Sequence, residues 1–129
     1  MSVRMLIAMM LLSGCATPTK PVSEVDACKP GNECAVDGVL VVDAPWEATL
    51  RVSDGCIALA MPENYRRPEP SLVNRSVRVS GFAMTQPEMF GAEYFYEVDG
   101  RRVNKNSCEL AIIVSEIADA RGNVVWTNH

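Results

Sequence analysis

Residues 46 to 53 read Trp46-Glu47-Ala48-Thr49-Leu50-Arg51-Val52-Ser53, apolar and polar in strict alternation. A period of two predicts a strand with one buried face. Before it, Ala35 to Val42 is a more continuous apolar run in which Gly38 marks a bend. The two runs form the arms of a hairpin turning at Asp43-Ala44-Pro45, with Val42 facing Trp46. Ser53-Asp54-Gly55 is a second turn, and Cys56 to Met61 follows as a third strand, so the three make a meander. Pro62 ends it, and the stretch to Ser76 reads as a loop with one short helix. Val77 to Phe82 is a fourth strand, and Thr85 to Gly91 is a break. Tyr94 to Val98 and Arg101 to Val103 flank Asp99-Gly100, the signature of a small hairpin with a type I′ turn. Glu109 to Ile117 is the last core strand, and Gly122-Asn123 turns a short tail, Val124 to Trp126, back along it.

Three meandering strands, a crossing segment, and two further strands with a hairpin inserted between them follow the order of a five-stranded OB-fold barrel. Val77-Arg78-Val79-Ser80-Gly81 resembles the V-x-V-x-G strand often found fourth in such barrels. The expectation is an all-β, OB-like barrel over residues 31–129, with another small β-barrel or a sandwich as the alternative. At 129 residues the chain has room for one such domain.

The amino end follows other rules. Met1 to Arg4 is a short positive segment, and Met5-Leu6-Ile7-Ala8-Met9-Met10-Leu11-Leu12 is an unbroken apolar run. As a helix that run spans about 12 Å, against roughly 30 Å of bilayer hydrocarbon. It is too short to cross a membrane and suits the apolar region of a signal peptide. Leu12-Ser13-Gly14-Cys15 follows and resembles the lipobox of bacterial lipoproteins. The resemblance implies a signal peptide over 1–14 and diacylglycerol on the Cys15 thiol. It further implies cleavage before Cys15, acylation of the new amine, and acyl chains of the palmitate class. The thiol is needed because its sulfur is the nucleophile. Each buried methylene contributes about 0.8 kcal/mol, so two or three chains on one residue hold a protein durably on a membrane. Ala16 rather than Asp follows the cysteine, which by resemblance directs the protein to the outer membrane, facing the periplasm. Residues 15–30 then hold the lipidated cysteine and a disordered tether with prolines and small polar residues but no apolar periodicity.

Beyond Cys15 four cysteines are left: Cys28, Cys34, Cys56 and Cys108. An even number in an exported domain reads as two disulfides. If Val42 faces Trp46, Cys34 lies within two residues of Cys56, which favours Cys34–Cys56 and leaves Cys28–Cys108. Cys28–Cys34 with Cys56–Cys108 is the main competitor.

Chemistry is sparse. The one histidine is His129, so a histidine-based triad has no base and a metal site lacks its commonest ligand. No Cys-x-x-Cys, Gly-rich phosphate loop or calcium-loop pattern occurs. We therefore expect no enzyme, no cofactor and no metal. The net charge of −4, with no run of like charge, argues against nucleic acid, whose binding relies on clustered Lys and Arg. The doublets Arg66-Arg67 and Arg101-Arg102 read as solvated loop charges. Glu93 and Glu97 share one strand face and read as solvated too. Tyr94-Phe95-Tyr96 is the one candidate surface, because aromatics in OB folds stack on ligands. Alternation puts Phe95 in the core with Tyr94 and Tyr96 outside, or the reverse. The expected role is a non-catalytic accessory module that binds an envelope protein. A small-ligand or glycan module using Tyr94 and Tyr96 is one alternative, and an inhibitor of an envelope enzyme another.

Overall fold

The computed structural model describes residues 28–44, 47–62, 70–88 and 94–128. The expected signal segment over 1–14, Cys15, Ala16 and most of the expected tether lie outside them, as do Trp46, Arg66-Arg67 and Glu93. Eight strands are present among the described residues: β1 (Glu33–Ala44), β2 (Glu47–Val52), β3 (Gly55–Ala60), β4 (Ser76–Thr85), β5 (Phe95–Val98), β6 (Arg101–Asn104), β7 (Leu110–Asp119) and β8 (Val124–Thr127). A 3-10 turn, Pro70–Leu72, precedes β4.

The main sheet runs β3-β2-β1-β4-β7-β8, and β3 also pairs with β7. That second pairing is parallel, from Ile57 opposite Leu110 to Ala60 opposite Ile113, and it closes five strands into a barrel. The closed order β1-β2-β3-β7-β4 is the OB arrangement expected from the strand sequence. β5 and β6 form a separate two-stranded sheet inserted between β4 and β7.

Alternation decides which side chains fill the barrel. Val77, Val79 and Ala83 of β4 are buried while Arg78 and Phe82 are exposed. Leu40, Leu50, Ile57, Ile112, Val79, Val114 and Ile117 are all essentially inaccessible and form one cluster with Val36, Leu59 and Leu110. Trp126 of β8 packs against the same cluster. β4 carries a bulge between Ser80 and Gly81 as it pairs with β7. A Cβ at Gly81 would collide with the Ile113 carbonyl and lie 2.7 Å from Ile112 Cγ2, so glycine alone lets the two strands close there.

The β1–β2 hairpin is offset from expectation by two residues: Val42 faces Ala48, and a bulge near Val42 lets Ala44 face Glu47. An even offset preserves the faces, so Leu40 and Leu50 still meet in the interior.

The disulfides join Cys28 to Cys34 and Cys56 to Cys108, each pair with Cα atoms 5.3 Å apart, an ordinary separation for a bridge. The favoured pairing Cys34–Cys56 with Cys28–Cys108 is therefore wrong, and the competitor is right. The reason is that β1 changes partner along its length. Its second half pairs with β2 only as far as Val39 opposite Arg51, whereas its first half pairs with β4, setting Cys34 opposite Gly81. A turn over residues 29–32 then folds back onto β4: Gly31 N–H donates to the Ala83 carbonyl at 2.8 Å. That carries Cys28 to Cys34. Cys56 is the second residue of β3, beside the start of β7 where Ile57 faces Leu110, and so meets Cys108.

Candidate functional site

The β5–β6 hairpin, like β8, is a part that the barrel does not require for closure. Asp99 (φ 52°) and Gly100 (φ 73°) make its turn, both in the left-handed region, as a type I′ turn demands. Register then sorts its residues. Tyr96 faces Val103 and Val98 faces Arg101 on one side; Phe95 faces Asn104 and Glu97 faces Arg102 on the other.

The first side packs outward of the barrel wall. Val103 is buried among Ala58 and Ala60 of β3 and Ala111 of β7, with Met84, Tyr96, Val98 and Ile113 at the rim. Three alanines make a shallow floor, so this contact buries far less side chain than the barrel interior does. Polar bonds supplement it. Arg101 is only 4% exposed, and its Nη1 donates to the Ala60 carbonyl (2.8 Å) and the Val114 carbonyl (2.7 Å). The guanidinium thus bridges β3 and β7 where their parallel ladder ends. Burial draws its pKa below the ordinary arginine value, with Asp99 opposing that shift. The expectation that Arg101 is a solvated loop charge fails, because register places it on the same face as buried Val103. Arg102 is exposed, as expected.

The hairpin's root carries a side-chain network. Gln86, 4% exposed and just past β4, donates from Nε2 to Asn106 Oδ1 (2.7 Å) and to the Cys108 carbonyl. Its Oε1 accepts from the Tyr96 hydroxyl at 2.8 Å. Asn106 Oδ1 also accepts from the Cys108 N–H (3.0 Å). Each amide group therefore has a partner that its geometry requires. Burial pushes the Tyr96 phenol up to about 12, so it stays a neutral donor at ordinary pH.

Tyr94 and Tyr96 do not form one free face. Tyr96 is packed inward and hydrogen-bonded, while Tyr94, just before β5, is 73% exposed. Phe95 is not in the core: Tyr96 pairs with buried Val103 on the packed side, so Phe95 takes the outer side, 39% exposed, with the Arg102 guanidinium 3.8 Å from its ring centroid. The exposed surface thus includes Tyr94, Phe95, Arg102 and Glu97, the last solvated as expected. No family model, curated protein or solved structure matches this chain.

Sequence reasoning singled out the aromatic run but missed Gln86, Asn106 and Arg101. Alternation carried a signal for Arg101, two residues before Val103 in a hairpin. Gln86 and Asn106 lie outside strands and carried none. Among the described residues no group of three or more His, Cys, Asp or Glu side chains is arranged to hold a metal ion. No helix of the described residues is long and apolar enough to cross a membrane.

Proposed function

We propose that this chain is a bacterial envelope lipoprotein, anchored through acyl chains on Cys15 in the outer membrane and facing the periplasm. Its OB-like domain is a non-catalytic module that docks another envelope protein. The reading of the anchor rests on the order of positive segment, apolar run and Leu12-Ser13-Gly14-Cys15. The observation that carries the docking role is the hairpin's outer face, where exposed Phe95 lies under the Arg102 guanidinium, with exposed Tyr94 next to it in the chain. Tyrosine and arginine are the residues that most often dominate binding energy at protein interfaces. A rigid β-hairpin presents them with little conformational entropy left to lose on association.

The test is crosslinking of the membrane-anchored form at native expression, comparing the wild type with a Tyr94→Ala/Phe95→Ala variant. Recovery of one stoichiometric partner from the wild type, lost in the variant, supports the reading. No partner, or a partner held equally by both, counts against it. A second reading, glycan binding, draws on Tyr94 alone: its ring is open, and its carbonyl accepts from the Lys105 N–H (2.7 Å), one residue from the Asn106 amide. Saturation of Tyr94 fluorescence quenching by envelope glycans would favour that reading over a protein partner.

A further inference from the structure

We propose that the Cys56–Cys108 disulfide is a redox-sensitive latch that fixes the position of the β5–β6 hairpin on the barrel. The hairpin has two roots. The entering chain leaves β4 at Gln86, and the exiting chain returns to β7 through Asn106 and Cys108. Gln86 Nε2 holds both Asn106 and the Cys108 carbonyl, so one side chain ties the two roots together. Gln86 Oε1 takes the Tyr96 hydroxyl, which ties the hairpin itself to the same point. The Cys108 N–H closes the set on Asn106 Oδ1. Two of these bonds are made by the Cys108 backbone itself, its carbonyl to Gln86 and its N–H to Asn106, and the other two run through the same Gln86 and Asn106 side chains. The disulfide is the covalent bond that holds that backbone against the start of β3.

Access fits the role. Cys108 is 5% exposed, whereas Cys56 is partly open to solvent, so attack falls on the Cys56 sulfur. A dithiol reductant supplies a thiolate that bonds to Cys56 Sγ as the Cys56–Cys108 bond breaks and Cys108 leaves as a thiolate, then takes a proton. The reductant's second thiol displaces Cys56 from the mixed disulfide. Two electrons and two protons pass to the protein, and the dithiol becomes a disulfide. Cys108 is then free to move, and the network that seats Tyr96 loses its fixed point. The shallow alanine floor and Arg101 still hold the hairpin, so it loosens without leaving. Tyr94, Phe95 and Arg102 ride on that hairpin, so their presentation becomes redox-dependent whether or not a partner docks there. Cys28–Cys34 bridges β1 to the preceding turn and touches none of this network, so its reduction leaves the hairpin in place.

The experiment is hydrogen exchange on the full chain purified in detergent, through a stepwise dithiothreitol titration. Alkylation mapping reports which bond is open at each step. Opening Cys56–Cys108 should speed exchange of residues 95–105 at least about tenfold while β1, β2 and β4 stay protected. Opening Cys28–Cys34 alone should leave residues 95–105 unchanged. Gln86→Ala, with both disulfides intact, should speed the same segment and nothing else. Unchanged hairpin exchange on opening Cys56–Cys108 would overturn the proposal. Simultaneous loss of protection across the barrel would also overturn it, since the bond would then staple the whole fold. A Gln86→Ala protein with wild-type hairpin exchange would remove the network from the account.

Discussion

The barrel and the hairpin are built from the same strand geometry but held together by different physics. The barrel's interior is a single cluster of mostly aliphatic side chains, Leu40, Leu50, Ile57 and Ile112 among them, enclosed by five strands paired in a closed ring. The hairpin rests on three alanines and is fixed by one buried guanidinium, one amide network and one disulfide. Hydrophobic burial is non-directional and spread over many residues, so the barrel tolerates small rearrangements of any one contact. Hydrogen-bonded networks fail as units, because each partner left unsatisfied costs more than the bond contributed. The molecule thus joins a resilient body to an appendage whose attachment depends on a few groups.

That difference can be broken or sharpened by substitution. The largest effect is expected in the barrel: Leu50→Ala removes an inaccessible side chain and should destabilise by about 3–4 kcal/mol, with the transition staying cooperative in chemical denaturation. Arg101→Ala comes next at about 2–3 kcal/mol, since it orphans the Ala60 and Val114 carbonyls and empties the seam. Its hydrogen-exchange signature should centre on residues 95–104 and the neighbouring ends of β3 and β7. Val103→Ala, the hairpin's counterpart of the Leu50 change, should cost roughly 2 kcal/mol, because its alanine floor leaves a smaller cavity. Tyr96→Phe is smaller again, about 1 kcal/mol, from an unpaired Gln86 Oε1.

Titration adds a test specific to the hairpin. The Tyr96 phenol is raised by burial from 10.0 to about 12 in the folded state, so folding favours the protonated form. Its contribution is fully present below pH 10 and is lost as pH rises toward 12. Denaturation midpoints measured across that window should fall in the wild type and fall less steeply in Tyr96→Phe. Equal slopes would show that the phenol's surroundings do not distinguish folded from unfolded chain.

How much of this was legible in the sequence follows from the same contrast. Alternation at Trp46 to Ser53 and at Val77 to Phe82, with Asp99-Gly100 at its turn, located the strands and the OB order because burial of one face imposes a period. Register was less legible. The β1–β2 tip placed Val42 opposite Ala48 rather than Trp46, and an even slip leaves the apolar pattern unchanged. Disulfide pairing failed for a related reason: no local pattern announces that β1 hands over from β4 to β2 at Val39, so Cys34 was carried toward the wrong neighbour. The Gln86–Asn106–Tyr96 network was invisible because it joins positions far apart in the chain through side chains with no period at all.

The proposed anchor at Cys15 is tested most directly by the intact mass of the protein recovered from its own membranes. The account predicts a chain beginning at Cys15 that carries the mass of two or three fatty acyl chains on that residue. A chain that retains residues 1 to 14 and bears no acyl mass would contradict it.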